Sequence, residues 1–122
     1  AAVQFLEANG GPETACRREG TLARHFLEGL RDIPGVITYG DFSQPDRCAI
    51  VSINLAGMGS ANVSDILMSE FGIATRPGAH CAPLMHRALG TEEQGAVRFS
   101  FGWNNTDDEV DSALAAIRAI AC

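Results

Sequence analysis

Ala49-Ile50-Val51-Ser52-Ile53-Asn54-Leu55 alternates with a period of two. Val51, Ile53 and Leu55 share one side and Ser52 and Asn54 the other, the pattern of a strand with one buried face. Toward the C-terminus the period returns over Ala96 to Phe101, where Val97, Phe99 and Phe101 oppose Arg98 and Ser100. Upstream, Val36-Ile37-Thr38-Tyr39 reads as a shorter strand rich in β-branched residues. Residues 40–47 between these two upstream strands are turn formers, with Pro45-Asp46 marking the bend.

The segments between the strands carry helical spacing. Val3 to Ala8 reads as a short helical piece ended by Asn9-Gly10-Gly11. A longer helix is expected from about Glu13 to Asp32, with Leu22, Phe26, Leu27 and Leu30 as its apolar stripe, stopped by Ile33-Pro34-Gly35. Asn62 is placed to cap a helix bearing Val63, Ile66, Leu67 and Phe71 on one side, with Gly72 at its end. Ile73 to Arg76 is expected to be extended, because Pro77 disfavours helix at the residue before it. Residues 77–82 form a loop, and Pro83 to Leu89 a short helix stopped by Gly90. After a turn at Asn104-Asn105, Thr106-Asp107-Asp108-Glu109 is a capping box opening a helix with Val110, Ala113, Leu114, Ile117 and Ala121 on one face. The order α-α-β-β-α-β-β-α predicts an α+β fold: one domain over residues 1–122, with a small, mainly antiparallel sheet flanked by helices.

Composition narrows the function. The chain has 122 residues, 46% hydrophobic and 20% charged, the values of a soluble globular domain and not of a disordered or collagen-like chain. Its longest uncharged stretch, Cys48 to Ser64, is 17 residues with five Ser or Asn side chains, too short and too polar to span a bilayer. The net charge is -6 and the bases are scattered, so no nucleic-acid partner is expected. All nine basic residues are Arg, with no Lys anywhere. Chemistry that needs a lysine amine cannot be completed by this chain alone. The chain opens at Ala1-Ala2 without the apolar core of a signal peptide, which fits a piece of something longer.

Four cysteines stand at 16, 48, 81 and 122, widely spaced and without a CxxC pair, so reduced thiols and a cytoplasmic location are expected. Zinc held by Cys81, His80 and His86 is disfavoured: adjacent His and Cys chelate one ion awkwardly, and no second cysteine pair lies near. No metal is expected.

Arg76-Pro77-Gly78-Ala79-His80-Cys81 is the most unusual segment. It lies in a loop, where function concentrates. Cys81 has His80 beside it and Arg76 and Arg87 within a few positions, and cationic neighbours favour the nucleophilic thiolate. Arg98, mid-strand and opposite an apolar face, is suited to grip a carboxylate through two parallel hydrogen bonds. His80 is suited to orient or deprotonate a substrate group. The bland alternatives are a small buried Cys81, a solvent-facing Arg98 and a surface His80. Cys16, Cys48 and Cys122 read as structural or incidental, and His25 and His86 as ordinary helix residues.

Residues 72–82 resemble the active-site loop of cysteine desulfurases of the class V aminotransferase family. The pattern R-x-G-x-H-C is met by Arg76, Gly78, His80 and Cys81. Residues 97–101, followed by Asn105-Thr106 and Glu109-Val110-Asp111, look like that family's closing strand and helix, and Glu28-Gly29-Leu30 before Ile33-Pro34-Gly35-Val36 is similar to its entry into the C-terminal domain. Pro77 and Ala79 fill the variable loop positions, and Gly59-Ser60-Ala61-Asn62 stands where many relatives carry a His-bearing stretch.

The resemblance implies the small C-terminal domain of a fold-type I pyridoxal-phosphate enzyme that takes sulfur from L-cysteine and leaves L-alanine. Cys81 would hold the sulfur as a persulfide, Arg98 would bind the substrate carboxylate, and Arg76 and His80 would assist. The Schiff-base lysine would lie in a preceding large domain absent here, so no cofactor-binding residue is assigned and the chain alone is expected to be inactive. Implied partners are that large domain, an amino-acid substrate (cysteine, selenocysteine or cysteine sulfinate), a sulfur-acceptor protein and, for the parent, a second copy. Other readings are a free-standing persulfide carrier and an inert binding or regulatory module.

Overall fold

The computed structural model describes residues 1–44 and 47–121, so the expected bend at Pro45-Asp46 and the thiol of Cys122 lie outside the described residues. Three strands form one antiparallel sheet in the order β1 (Val36–Tyr39), β2 (Ile50–Leu55) and β3 (Val97–Ser100). The period-two reading of the central strand holds for its core side: Val51, Ile53 and Leu55 are buried. The register places Tyr39 opposite Ser52 and Ser52 opposite Arg98. Cross-strand partners leave the same face of a sheet, so Tyr39, Ser52 and Arg98 form one row on the side away from Val51 and Phe99.

Helices α1 (Ala2–Ala8), α2 (Gly11–Leu30), α3 (Ser60–Phe71), α4 (Pro83–Leu89) and α5 (Asp107–Ala121) complete the α+β fold. The core joins Leu22, Phe26 and Leu30 of α2 and Val110, Leu114 and Ile117 of α5 to the buried side of β2 and β3. Phe26 is fully buried, with its ring 4.8 Å from Phe99 and 5.3 Å from Phe101. The capping box of α5 forms in both directions: Glu109 N–H donates to Thr106 Oγ1 at 3.3 Å and Thr106 N–H to Glu109 Oε2 at 3.0 Å.

Three expectations change. α2 starts at Gly11, two residues before Glu13, with Pro12 in its first turn where a missing N–H removes no helical bond. α3 also starts early, capped at Gly59, so Asn62 lies inside the helix and caps nothing. Its buried side includes Ser60 and Ser64 as well as Val63 and Leu67, while Phe71 is exposed. Ile73 to Arg76 is extended but is not a strand. It meets the sheet through one isolated bridge, Arg76 to Arg98.

Candidate active site

The bridge brings the two site arginines together. Arg98 N–H donates to the Arg76 carbonyl at 2.9 Å, and Arg76 N–H to the Arg98 carbonyl at 3.1 Å. As cross-strand partners they project from the same face, and like charges so placed repel. Among the described residues neither guanidinium has a carboxylate partner. Arg98 is half-buried, not the solvent-facing residue of the bland reading, and its Nε is buried without a hydrogen bond among the described residues. Leaving such an atom unpaired costs about 1–3 kcal/mol.

Ser60 ties down the loop that follows. Its Oγ donates to the Gln94 carbonyl at 2.6 Å and accepts the Gly78 N–H at 3.2 Å, and Ala96 N–H donates to the Gly78 carbonyl at 3.2 Å. His80 and Cys81 then take left-handed conformations, φ 52° and 60°, the only described non-glycine residues with positive φ. Each costs about 1–2 kcal/mol and persists because its surroundings hold it.

Two side-chain contacts do so. Arg76 Nη2 donates to Cys81 Sγ at 3.3 Å. His80 Nε2 lies 2.8 Å from the Arg76 carbonyl oxygen. A carbonyl only accepts, so Nε2 carries a proton, and in the neutral form of such a ring Nδ1 is the basic nitrogen. Arg76, His80 and Cys81 thus form one unit on the edge of β3, with Arg98 beside them.

Cys81 is exposed. The cleft of about 390 Å³ between Phe71, Ile73, Phe101 and Glu109 includes none of these four residues. Cys16 and Cys48 are also free and exposed. Cys48 lines a cleft with Arg24 and Arg47, surroundings closer to those of Cys81 than expected, but Arg47 is engaged with the Asp41 and Ile50 carbonyls and stacks on Phe42. Among the described residues no group of three or more His, Cys, Asp or Glu is placed to hold a metal ion, and no helix is long and apolar enough to cross a membrane.

Sequence reasoning passed over His86. It is 1% exposed, with Nδ1 2.8 Å from Thr91 Oγ1, and its ring lies edge-on to that of His80 with centroids 5.4 Å apart. No local signal marks it: Leu84, Met85 and Leu89 would be the expected buried residues of α4, and all three are exposed.

Residues 1–113 match the family model described as aminotransferase class-V. The chain is 37% identical over 121 residues to a cysteine desulfurase of Klebsiella pneumoniae, covering 98% of this chain and 28% of that protein. The apo structure of a cysteine desulfurase from Thermococcus onnurineus superposes with a TM-score of 0.81 at 31% identity, over 88% of this chain and 26% of that one. The cysteine desulfurase CsdA of Escherichia coli superposes with a TM-score of 0.71 at 27% identity, over 83% and 24%. The chain therefore spans about a quarter of the length of each of these three proteins.

Proposed function

Because the chain belongs to the aminotransferase class-V family, we propose that it is the small C-terminal domain of a cysteine desulfurase, supplying the sulfur-accepting thiol and the carboxylate clamp. The observation that carries this reading is the pair Arg76 and Arg98, two guanidiniums on one face without a described acid to neutralise them, beside the exposed thiol of Cys81. A substrate carboxylate answers the charge and the unpaired Nε together, and a planar guanidinium binds it through two bonds.

Cys81 Sγ would attack the sulfur of bound cysteine. The sulfur–sulfur bond forms as the carbon–sulfur bond breaks; the electron pair stays with the carbon, which takes up the thiol proton. The products balance as alanine and a persulfide on Cys81. Arg76 holds Sγ in position, and His80 Nδ1 is the basic nitrogen nearest in sequence to the thiol.

Enzymes of this kind use pyridoxal phosphate, which supplies an electron sink when bound. The residues present do not fit that group by themselves: a Schiff base needs an amine, and the chain has no Lys. The cofactor and its lysine belong, on this reading, to a preceding large domain, and the chain alone is inactive.

The test is alanine release from cysteine by the full-length parent. Cys81→Ser should abolish turnover. Arg98→Ala should raise the KM for cysteine strongly, and Arg98→Lys should recover only part of the loss, because an ammonium lacks the fork. Wild-type kinetics in both Cys81→Ser and Arg98→Ala would overturn the assignment. A persulfide carrier without a cofactor uses the same thiol, and an upstream lysine-bearing domain in the intact protein excludes it.

A further inference from the structure

The helix that follows Cys81 is anchored in an unusual way. α4 has seven residues, too few to be stable as an isolated helix. Its large apolar side chains hold it only in part: Leu84 is 75% exposed, while Met85 and Leu89, 45% and 41% exposed, line the same cleft as His86. Its one buried residue is His86. That imidazole is pinned by Thr91, through the Nδ1 to Oγ1 contact of 2.8 Å and by the Thr91 N–H donating to the His86 carbonyl at 2.9 Å. It lies under the sheet face that carries Arg98, in a cleft whose lining includes Tyr39, Ser52 and Ala96. Ser52 is the cross-strand partner of Arg98, and Ala96 precedes it by two residues on the same face. The His86 ring abuts that of His80 at an interplanar angle of 68°.

We propose that His86 is a positioning residue for the thiol: it seats α4 against the sheet and backs the His80 ring, which holds Arg76 against Cys81. The proposal deepens the reading of Cys81 as the reactive thiol and rests on it. His86 touches His80, His80 donates to the Arg76 carbonyl, and the Arg76 guanidinium donates to Cys81 Sγ. The links also explain how His80 and Cys81 stay in left-handed backbone conformations on an exposed loop. A strained segment needs a rigid backing, and here the one fully buried ring of α4 supplies it beside the partial packing of Met85 and Leu89.

The test uses alkylation of this chain by iodoacetamide at neutral pH, read thiol by thiol by peptide mapping, with Cys16 and Cys48 as internal references. Cys81 is already exposed, so loosening its loop removes the Arg76 contact without adding access. His86→Ala should therefore slow Cys81 alkylation about threefold or more, the scale of a lost charge-assisted contact on an exposed group, while the two reference thiols keep their rates. Arg76→Gln should slow it similarly, and His86→Ala added to Arg76→Gln should bring no further loss, because the two act through one contact. His80→Ala, which leaves α4 untouched, should reproduce the slowing and guards against a His86→Ala variant that does not fold. His86→Phe, which keeps a ring against His80, should restore most of the rate. Wild-type alkylation of Cys81 in both His86→Ala and His80→Ala, or losses that add to that of Arg76→Gln, would overturn the proposal. A wild-type Cys81 no faster than Cys16 and Cys48 would instead count against the reading of Cys81 as the reactive thiol.

Discussion

Gly95 occupies the tightest place in the site's support. Its φ is 67°, and a Cβ there would stand 2.7 Å from both Gly78 Cα and Ser60 Oγ. Serine can rotate away, but the Gly78 backbone cannot without moving the loop that leads to Cys81. Gly95→Ala should cost at least about 2 kcal/mol, combining the positive-φ penalty with the clash, and should speed amide exchange of the Gly78 N–H, which Ser60 now accepts. Gly20 is the contrast: it lies inside α2, and a Cβ there meets nothing within 4 Å. Gly20→Ala should stabilise by about 0.5–1 kcal/mol through helix propensity. Urea midpoints of the two variants should move in opposite directions, and a shared direction would contradict this account of the loop's support. At this scale the closeness of the loop residues was legible for local reasons. Arg76, His80 and Cys81 lie within six positions, so a loop motif identifies all three. The burial of His86 left no trace, because it depends on which sheet face α4 lands upon.

Between elements, α2 and α5 are joined by His25. Its Nδ1 lies 3.0 Å from Asp107 and its Nε2 2.9 Å from Asp111. Neutral imidazole has one N–H, so only the protonated ring donates to both carboxylates. The hydrogen bond that the His25 ring donates to Asp107 is the largest influence holding the His25 pKa above its usual 6.5, opposed by some desolvation and aided by the charge of Asp111. A folded-state pKa above the unfolded one means that the contribution is fully present below about pH 6.5 and is lost as pH rises through the higher folded value. The ring is 36% exposed, so screening keeps the effect to about 0.2–1 kcal/mol. Wild-type and His25→Gln stabilities, compared by urea unfolding from about pH 5.5 to about pH 8.5, should therefore converge toward the alkaline end. A gap that widens with pH would reverse the sign and refute the assignment. Element boundaries were legible where Pro and Gly punctuate the chain: α4 runs from Pro83 to Leu89 with Gly90 left-handed beyond it, as read from the sequence. The start of α3 was not, because Ser60, an apparent loop residue, is drawn into the helix by its bonds to Gln94 and Gly78, both distant in the chain.

For the whole molecule, stability rests on the cluster in which Phe26 meets Phe99 and Phe101. Phe26→Ala should cost about 3–5 kcal/mol, a large share of the roughly 5–15 kcal/mol that holds a domain together. A drop in the denaturant midpoint with little change in its slope would confirm a loss of packing; a cost under about 1 kcal/mol would place the core elsewhere. The α+β class was readable because both strand faces and helix stripes repeat with their own periods. The pairing of Arg76 with Arg98 was not, since it is set by tertiary register and not by neighbours. That register also fixes when the site comes into being. Cys81 lies inside the long excursion between β2 and β3, so it leaves the ribosome before the strand that supplies Arg98. Non-local pairing is slow because the intervening chain must first lose its freedom. A nascent chain therefore carries Arg76, His80 and Cys81 before the strand that sets Arg98 beside them. The full cluster of Arg76, His80, Cys81 and Arg98 is thus postponed until β3 has been synthesised.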